Sequence, residues 1–186
     1  KADGTVVQWG ATGNGQASPP AGLSNVVAIA AGGSHSLALR SDGTVVAWGN
    51  SNLGGTAVPT GLSNVVGVAA GDGFSLALKQ DGTVIGWGNN GSGQSGVPAG
   101  LGNVVAISAG NNFSLALKSD GTVSSWGASG TGPAIVPAAL ANVVGIAAGN
   151  SHALALKSDR SVVGWGANNS GQISVPIGLN SVFALA

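Results

Sequence analysis

The sequence has no cysteine, no methionine and no tyrosine. Without cysteine, disulfide frameworks and thiolate metal centres are excluded. Charge is scarce too: Asp, Glu, Lys and Arg make up 6% of the 186 residues, against roughly 25% in ordinary globular domains. Six basic and six acidic residues leave a formal net charge of zero. That balance argues against nucleic acid or an anionic membrane surface as the main partner. No apolar run approaches the ~18 residues of a membrane-spanning helix. Glycine, in contrast, is abundant at 34 residues, with 7 prolines. Such a composition borders on low complexity, but the apolar residues are strictly patterned, so a folded chain is expected.

The pattern is a repeat of 39 residues. Trp9, Trp48, Trp87, Trp126 and Trp165 keep that spacing, as do Asp3, Asp42, Asp81, Asp120 and Asp159. Pro20, Pro59, Pro98, Pro137 and Pro176 follow it as well. A period this strict points to a solenoid, a propeller or an array. One unit, Ser24 to Leu62, can be parsed by its turn chemistry. "NVVAIAAG" reads as a strand buried on both faces. "SHSLALR" alternates as a second strand, with Leu37 and Leu39 on one side. Asp42-Gly43, Asp81-Gly82 and Asp120-Gly121 are hairpin signals, since glycine accepts positive φ without steric cost. "TVVAWG" is a third strand. "TAVP" is expected to be a short fourth strand on the outer edge, the place where a strand tolerates proline.

Short antiparallel strands in regular units imply an all-β β-propeller with four-stranded blades. A right-handed β-helix is the rival, but its coils are parallel and need no hairpin in each turn. Units of the form "VVAIAAGxxHSLALxxDGTVxxWGxNxxGQxxVP" resemble the regulator-of-chromosome-condensation repeat family along the whole chain. The spacing and the "GQ…VP" segment look most like its compact bacterial branch, which includes the seven-bladed type-two β-lactamase inhibitory protein. The resemblance implies a propeller. It says little about function, since members bind unrelated partners.

Aligned by period, the chain holds four full blades, 24–62, 63–101, 102–140 and 141–179. Residues 1–23 and 180–186 form a split blade that lacks its second strand, nine residues short of five periods. The expectation is an open arc, or closure by swapping or oligomerisation. With no Met at its start, the chain is read as a segment of a larger secreted or surface bacterial protein, or as an engineered fragment.

Five of the six basic and five of the six acidic residues fall in the hairpin turns. They are either a charged rim or, more simply, short-range pairs worth under about 1 kcal/mol each. One carboxylate per turn does not make a calcium loop. Arg160 replaces the turn glycine, and a local stability cost is expected there. The other face carries nearly uncharged loops, "GGSHS", "GDGFS", "GNNFS" and "GNSHA", followed by "ATGNGQ", "NSNLGG", "NNGSGQ", "ASGTGP" and "ANNSGQ". The inhibitor resemblance places partner contacts at His35, Phe74, Phe113 and His152, and Asn112, at a variable loop tip, is a further candidate. The competing reading packs those rings against a neighbouring blade. The tryptophans read as core between blades.

Catalysis finds little support. His35 and His152 are 117 residues apart, and no acid recurs beside either one. No cofactor, metal or enzymatic activity is expected. The leading reading is a protein-binding scaffold, with self-association through open blade edges. The alternatives are a β-lactamase-inhibitor-like binder and a multivalent glycan-binding propeller.

Overall fold

Each of the four full units folds into a three-stranded antiparallel sheet. The computed structural model describes residues 1–10, 12–128 and 135–185. Ala11, residues 129–134, which hold most of the "ASGTGP" loop, and Ala186 of the expected split-blade strand lie outside the described residues. The first sheet is β1 (Val26–Ala31), β2 (His35–Arg40) and β3 (Val45–Gly49); the second is β4 (Val65–Ala70), β5 (Phe74–Lys79) and β6 (Val84–Gly88). The third is β7 (Val104–Ala109), β8 (Phe113–Lys118) and β9 (Val123–Gly127); the fourth is β10 (Val143–Ala148), β11 (His152–Lys157) and β12 (Val162–Gly166). Among the described residues there is no helix. The first strands stand side by side, β1 next to β4, β4 next to β7, and β7 next to β10. The sheets therefore fan around one axis as an open propeller arc.

The register repeats from sheet to sheet. Val26 pairs with Arg40 and Ala28 with Leu39, which leaves Val27 as a bulge. The same irregularity falls at Val66, Val105 and Val144. A bulge bends its strand and strengthens its twist, and here it leaves one exposed valine per blade on the inner strand.

The core lies in the seams between blades. Leu37 and Leu39 of the first sheet meet Val65, Ala77 and Trp87 of the second. Phe74, Leu76 and Leu78 meet Val104, Ala116 and Trp126. Phe113, Leu115 and Leu117 meet Val143, Ala155 and Trp165. Bulky side chains on one face thus interlock with an alanine beside a tryptophan on the next, which is how large and small residues fill a core to native density. Leu37, Leu76 and Leu115 are fully buried. Leu154, their counterpart in the fourth sheet, is only half-buried because no described sheet covers it.

The hairpin turns also join the blades. Asp42 Oδ1 accepts hydrogen bonds from Thr44 N (2.9 Å) and Thr44 Oγ1 (2.6 Å). The arrangement recurs at Asp3, Asp81 and Asp120, and with Ser161 at Asp159. These bonds hold the carboxyls below their usual range, Asp159 at about 2. Gly43 has φ 77°, and its carbonyl accepts from Val65 N of the next blade at 3.2 Å.

The fourth strand expected at "TAVP" does not form. Among residues 54–58 the backbone closes local turns, Ala57 N to Gly54 O and Val58 N to Thr56 O, both within 3.0 Å. The Gly55 carbonyl crosses to the next blade, where it accepts from Trp87 Nε1 (2.9 Å) and Ser75 Oγ (2.8 Å). The segment is a seam filler with no ladder to join. Residues 5–9 and 180–185 are also not strands. They carry third-strand and first-strand sequence, and among the described residues no strand pairs with either.

Candidate interaction face

The β1–β2 loops and the loops after β3 emerge together at the end opposite the hairpin turns, as Asn50 N donating to Ser34 O at 2.9 Å shows. Neighbouring first loops are tied to each other. Gly33 N donates to Gly71 O (3.1 Å), Asp72 N to Asn111 O (3.3 Å) and Asn111 N to Asn150 O (3.2 Å). The chain of backbone bonds holds these tips as one platform, with backbone donors spent inward and side chains left outward. A shallow groove of about 390 Å³ runs along it, lined by the Ala-Gly stretches and by Asp72, Asn111 and Asn150.

The sequence-predicted contact residues are spread over all four blades, Asn112 and Phe113 sharing the third, and are not gathered. His35, Phe74 and Phe113 are at most 1% exposed. Each ring lies on its own blade's glycine: a Cβ at Gly32, Gly71 or Gly110 would collide with the ring. From there Phe74 and Phe113 reach into the seam clusters. His152 is half-buried at the uncovered end, and Asn112 is exposed at its loop tip. Trp48, Trp87, Trp126 and Trp165 are 6–7% exposed, whereas Trp9 is 84% exposed.

His35 is the one histidine in a closed seam. Ser75 Oγ donates to Gly55 O, so Ser75 must accept from His35 Nε2 at 2.9 Å. That fixes the proton on Nε2 and leaves Nδ1 as a bare acceptor, buried and without a partner. Burial pushes the His35 pKa below its ordinary 6.5, and the Asp72 carboxylate opposes that shift. The Ser75–His35 pair does not suit nucleophilic attack, because the serine proton is committed to a carbonyl and the hydroxyl is fully buried. Among the described residues, no three His, Cys, Asp or Glu side chains cluster as a metal site.

A smaller groove of about 300 Å³ opens at the boundary of the first two blades, lined by Ser34, His35, Asn50, Asn52, Leu53, Asp72 and Gly73. Sequence reasoning placed Asp72 on this face but missed Leu53. The available signal was its departure from the Asn, Ser or Thr found at that repeat position in the other units.

Residues 26–54, 65–94, 104–132 and 143–172 each match the Regulator of chromosome condensation (RCC1) repeat. The chain belongs to this repeat family. Among solved structures it is similar to human WBSCR16, at 27% identity and TM-score 0.64 over 77% of this chain and 48% of that one. The ectodomain of the receptor kinase CR4 from Physcomitrella patens is 25% identical, with TM-score 0.63, over 76% of this chain and 39% of that one. Prp20p from Saccharomyces cerevisiae, whose binding to Gsp1p and histones has been studied, shares the fold at 22% identity and TM-score 0.52, over 82% of this chain and 59% of that one. The chain therefore spans about half the length of the first relative and less of the second. No curated protein matches the sequence. The RCC1 repeat accounts for the blade architecture. Among this chain's own units the seam leucines and tryptophans recur while the loop tips differ, so function has to be argued from the tips.

Proposed function

We propose that this RCC1-repeat arc is a non-enzymatic protein-interaction scaffold whose contacts come from the loop platform opposite the hairpin turns. One observation carries the reading: the first loops are bonded tip to tip, so exposed carboxamides at Asn111 and Asn150 are held on a rigid sheet framework. Preorganised polar tips lose little entropy on binding. The charges of the hairpin face are solvated Lys–Asp pairs, Lys79–Asp81 at 3.6 Å, Lys118–Asp120 at 3.4 Å and Lys157–Asp159 at 3.1 Å, which contribute little to affinity.

Within this reading the parent is a secreted or surface-displayed bacterial protein. The bacterial inhibitor branch gives a first partner class, and inhibition of a class A β-lactamase is the assay. The exposed Ile29 (67%) and Trp9 (84%) favour end-to-end self-association as a further contact, which solution mass by light scattering reads directly. For the platform itself, Asn111→Arg with Asn150→Arg should abolish capture of a partner in pull-downs. Lys79→Ala with Lys118→Ala on the opposite face should leave capture intact. The converse pattern would move the binding surface to the hairpin face, and a glycan array positive for the wild-type chain would replace a protein partner with a saccharide.

A further inference from the structure

Departures from the repeat are spread along the chain, yet several meet at the boundary of the first two blades. Leu53 stands where Asn14, Ser92 and Ser170 stand in other units, and Gly55 stands where Gln16, Gln94 and Gln172 do. Asp72 occupies the position of Gly33, Asn111 and Asn150, and Gly73 that of Ser34, Asn112 and Ser151. These four positions belong to two different blades, and the fold brings three of them to the rim of one groove.

Three of the departures shape the groove. Leu53 is 51% exposed and lies over Gly73 so closely that a Cβ there would strike its side chain. Gly73 also has φ +73°, a second reason for glycine at this position. The Asp72 carboxylate leans over Gly33, where a Cβ would stand 2.5 Å from Oδ1. Gln94, the counterpart of Gly55, is 1% exposed and turns its Oε1 back to accept from Ser92 N at 2.8 Å. Gly55 has no side chain, and a Cβ there would stand 3.0 Å from the Gly73 backbone and the His35 ring. His35, buried beneath, carries a bare Nδ1.

Electrostatics then narrow the occupant. Every other charged residue lies in a hairpin turn at the opposite end, so Asp72 is the only ionised group on the platform. It is exposed, and no described cation pairs with it. An unpaired carboxylate beside an exposed leucine, rimmed by the Asn52 carboxamide, complements a side chain with an apolar stem and a cationic head. Arginine fits best. Its planar fork pairs with a carboxylate through two hydrogen bonds, and its methylene stem covers apolar surface.

We propose that this notch, formed by Leu53, Asp72 and Asn52, receives an arginine side chain of a protein partner. The proposal rests on the scaffold reading and deepens it.

The test uses the ¹⁵N-labelled chain and Nα-acetyl-arginine amide, with Nα-acetyl-citrulline amide as the neutral isostere and methyl glucoside as the saccharide probe. The arginine amide should shift the backbone resonances of Asn52, Leu53, Asp72 and Gly73 saturably, with a midpoint on the order of 1–10 mM. Added salt should weaken it. Asp72→Asn, which places the residue of other units in an exposed position, should weaken binding at least about tenfold. Leu53→Ser should weaken it by about threefold or more. Equal titration by citrulline amide, no response to arginine amide, or an unchanged Asp72→Asn midpoint would each overturn the proposal. A response to methyl glucoside alone would reassign the notch to saccharides. If a partner is still captured by Asp72→Asn but lost by the Asn111→Arg, Asn150→Arg platform variant, the notch fails and the scaffold reading stands.

Discussion

Trp87→Ala and Trp9→Ala remove the same residue from the same repeat position, yet they should differ by several kcal/mol. Trp87 is 7% exposed and packs with Leu37, Leu39, Val65 and Ala77 in the first seam. Truncating a buried tryptophan costs roughly 3–5 kcal/mol through lost transfer energy and the cavity left behind. The indole also donates to Gly55 O at 2.9 Å, but that carbonyl keeps a second donor, Ser75 Oγ. The lost hydrogen bond orphans nothing and adds at most about 1 kcal/mol. Trp9, at 84% exposure, should change stability by no more than about 0.5 kcal/mol. Urea unfolding followed by far-UV circular dichroism separates the two, since fluorescence would itself change with the substitution. With a slope of about 2 kcal/mol per molar, Trp87→Ala should lower the midpoint by about 1.5–2.5 M. Repeat arrays can unfold in more than one step, so the first transition is the one compared. Equal midpoint shifts for the two variants would refute the reasoning, because they would mean that the seam does not distinguish a covered indole from an open one.

His35→Phe should stabilise the first seam by about 1 kcal/mol, because it removes the unpartnered Nδ1 and installs the ring that Phe74 and Phe113 already place there. Ser75 keeps its bond to Gly55 O, just as Ser114 Oγ donates to Gln94 O at 2.7 Å beside Phe74. The pH dependence has a definite sign. Burial lowers the folded His35 pKa below 6.5, so the unfolded chain takes up the proton first. The wild-type contribution is complete above 6.5 and is lost as pH falls toward the folded value. Melting temperatures from pH 7 to 5 should therefore diverge between the two proteins, and parallel curves would refute the assignment. Arg160→Gly should leave global stability within about 0.5 kcal/mol: it relieves a φ of 71° worth about 1 kcal/mol, and it loses the guanidinium stacked 4.6 Å over the Phe183 ring, worth about 0.5–1 kcal/mol. Hydrogen exchange at Val182 and Phe183 should nevertheless quicken. Arg160→Ala keeps the strained backbone and loses the stack, so a variant more stable than wild type would contradict the balance.

The elements legible in the sequence were those set by local chemistry. Asp42-Gly43 needs only its own φ and the Thr44 hydroxyl to make a turn, so the hairpins, the strands around them and the propeller class could be read directly. "TAVP" failed as a strand for a nonlocal reason. Its alternation suits a strand, but the preceding Gly55 carbonyl is claimed by Trp87 and Ser75 of the next blade, which pins the segment in the seam. The aromatic positions were ambiguous for a similar reason. Whether His35, Phe74 and Phe113 face outward depends on glycines at 32, 71 and 110 that let each ring fold back, and on a neighbouring sheet to cover it.

A repeat supplies its own reference for deciding which departures matter. Every internal seam poses the same packing problem, and the chain answers it with the same residues, as Leu37, Leu76 and Leu115 do, all at 0% exposure. A departure that solves a local problem needs no further cause. Arg160 is of that kind: it stands at the position of Gly121, where the chain leads on to a neighbour, and it engages Phe183 and the Val182 carbonyl. Leu53 and Asp72 are different. The leucine exposes half its surface where other units place a polar residue, and the carboxylate stands without a cation on a face that has no other charge. Both reach across the seam, Leu53 to Gly73 and Asp72 to Gly33, yet each stays exposed there. Local rules are broken at functional sites more often than elsewhere, and here two breaks of opposite character, one apolar and one anionic, share one groove. A side chain with both an apolar stem and a cationic head satisfies them together, which is why the notch, more than the repeated rings, marks the specificity of this arc.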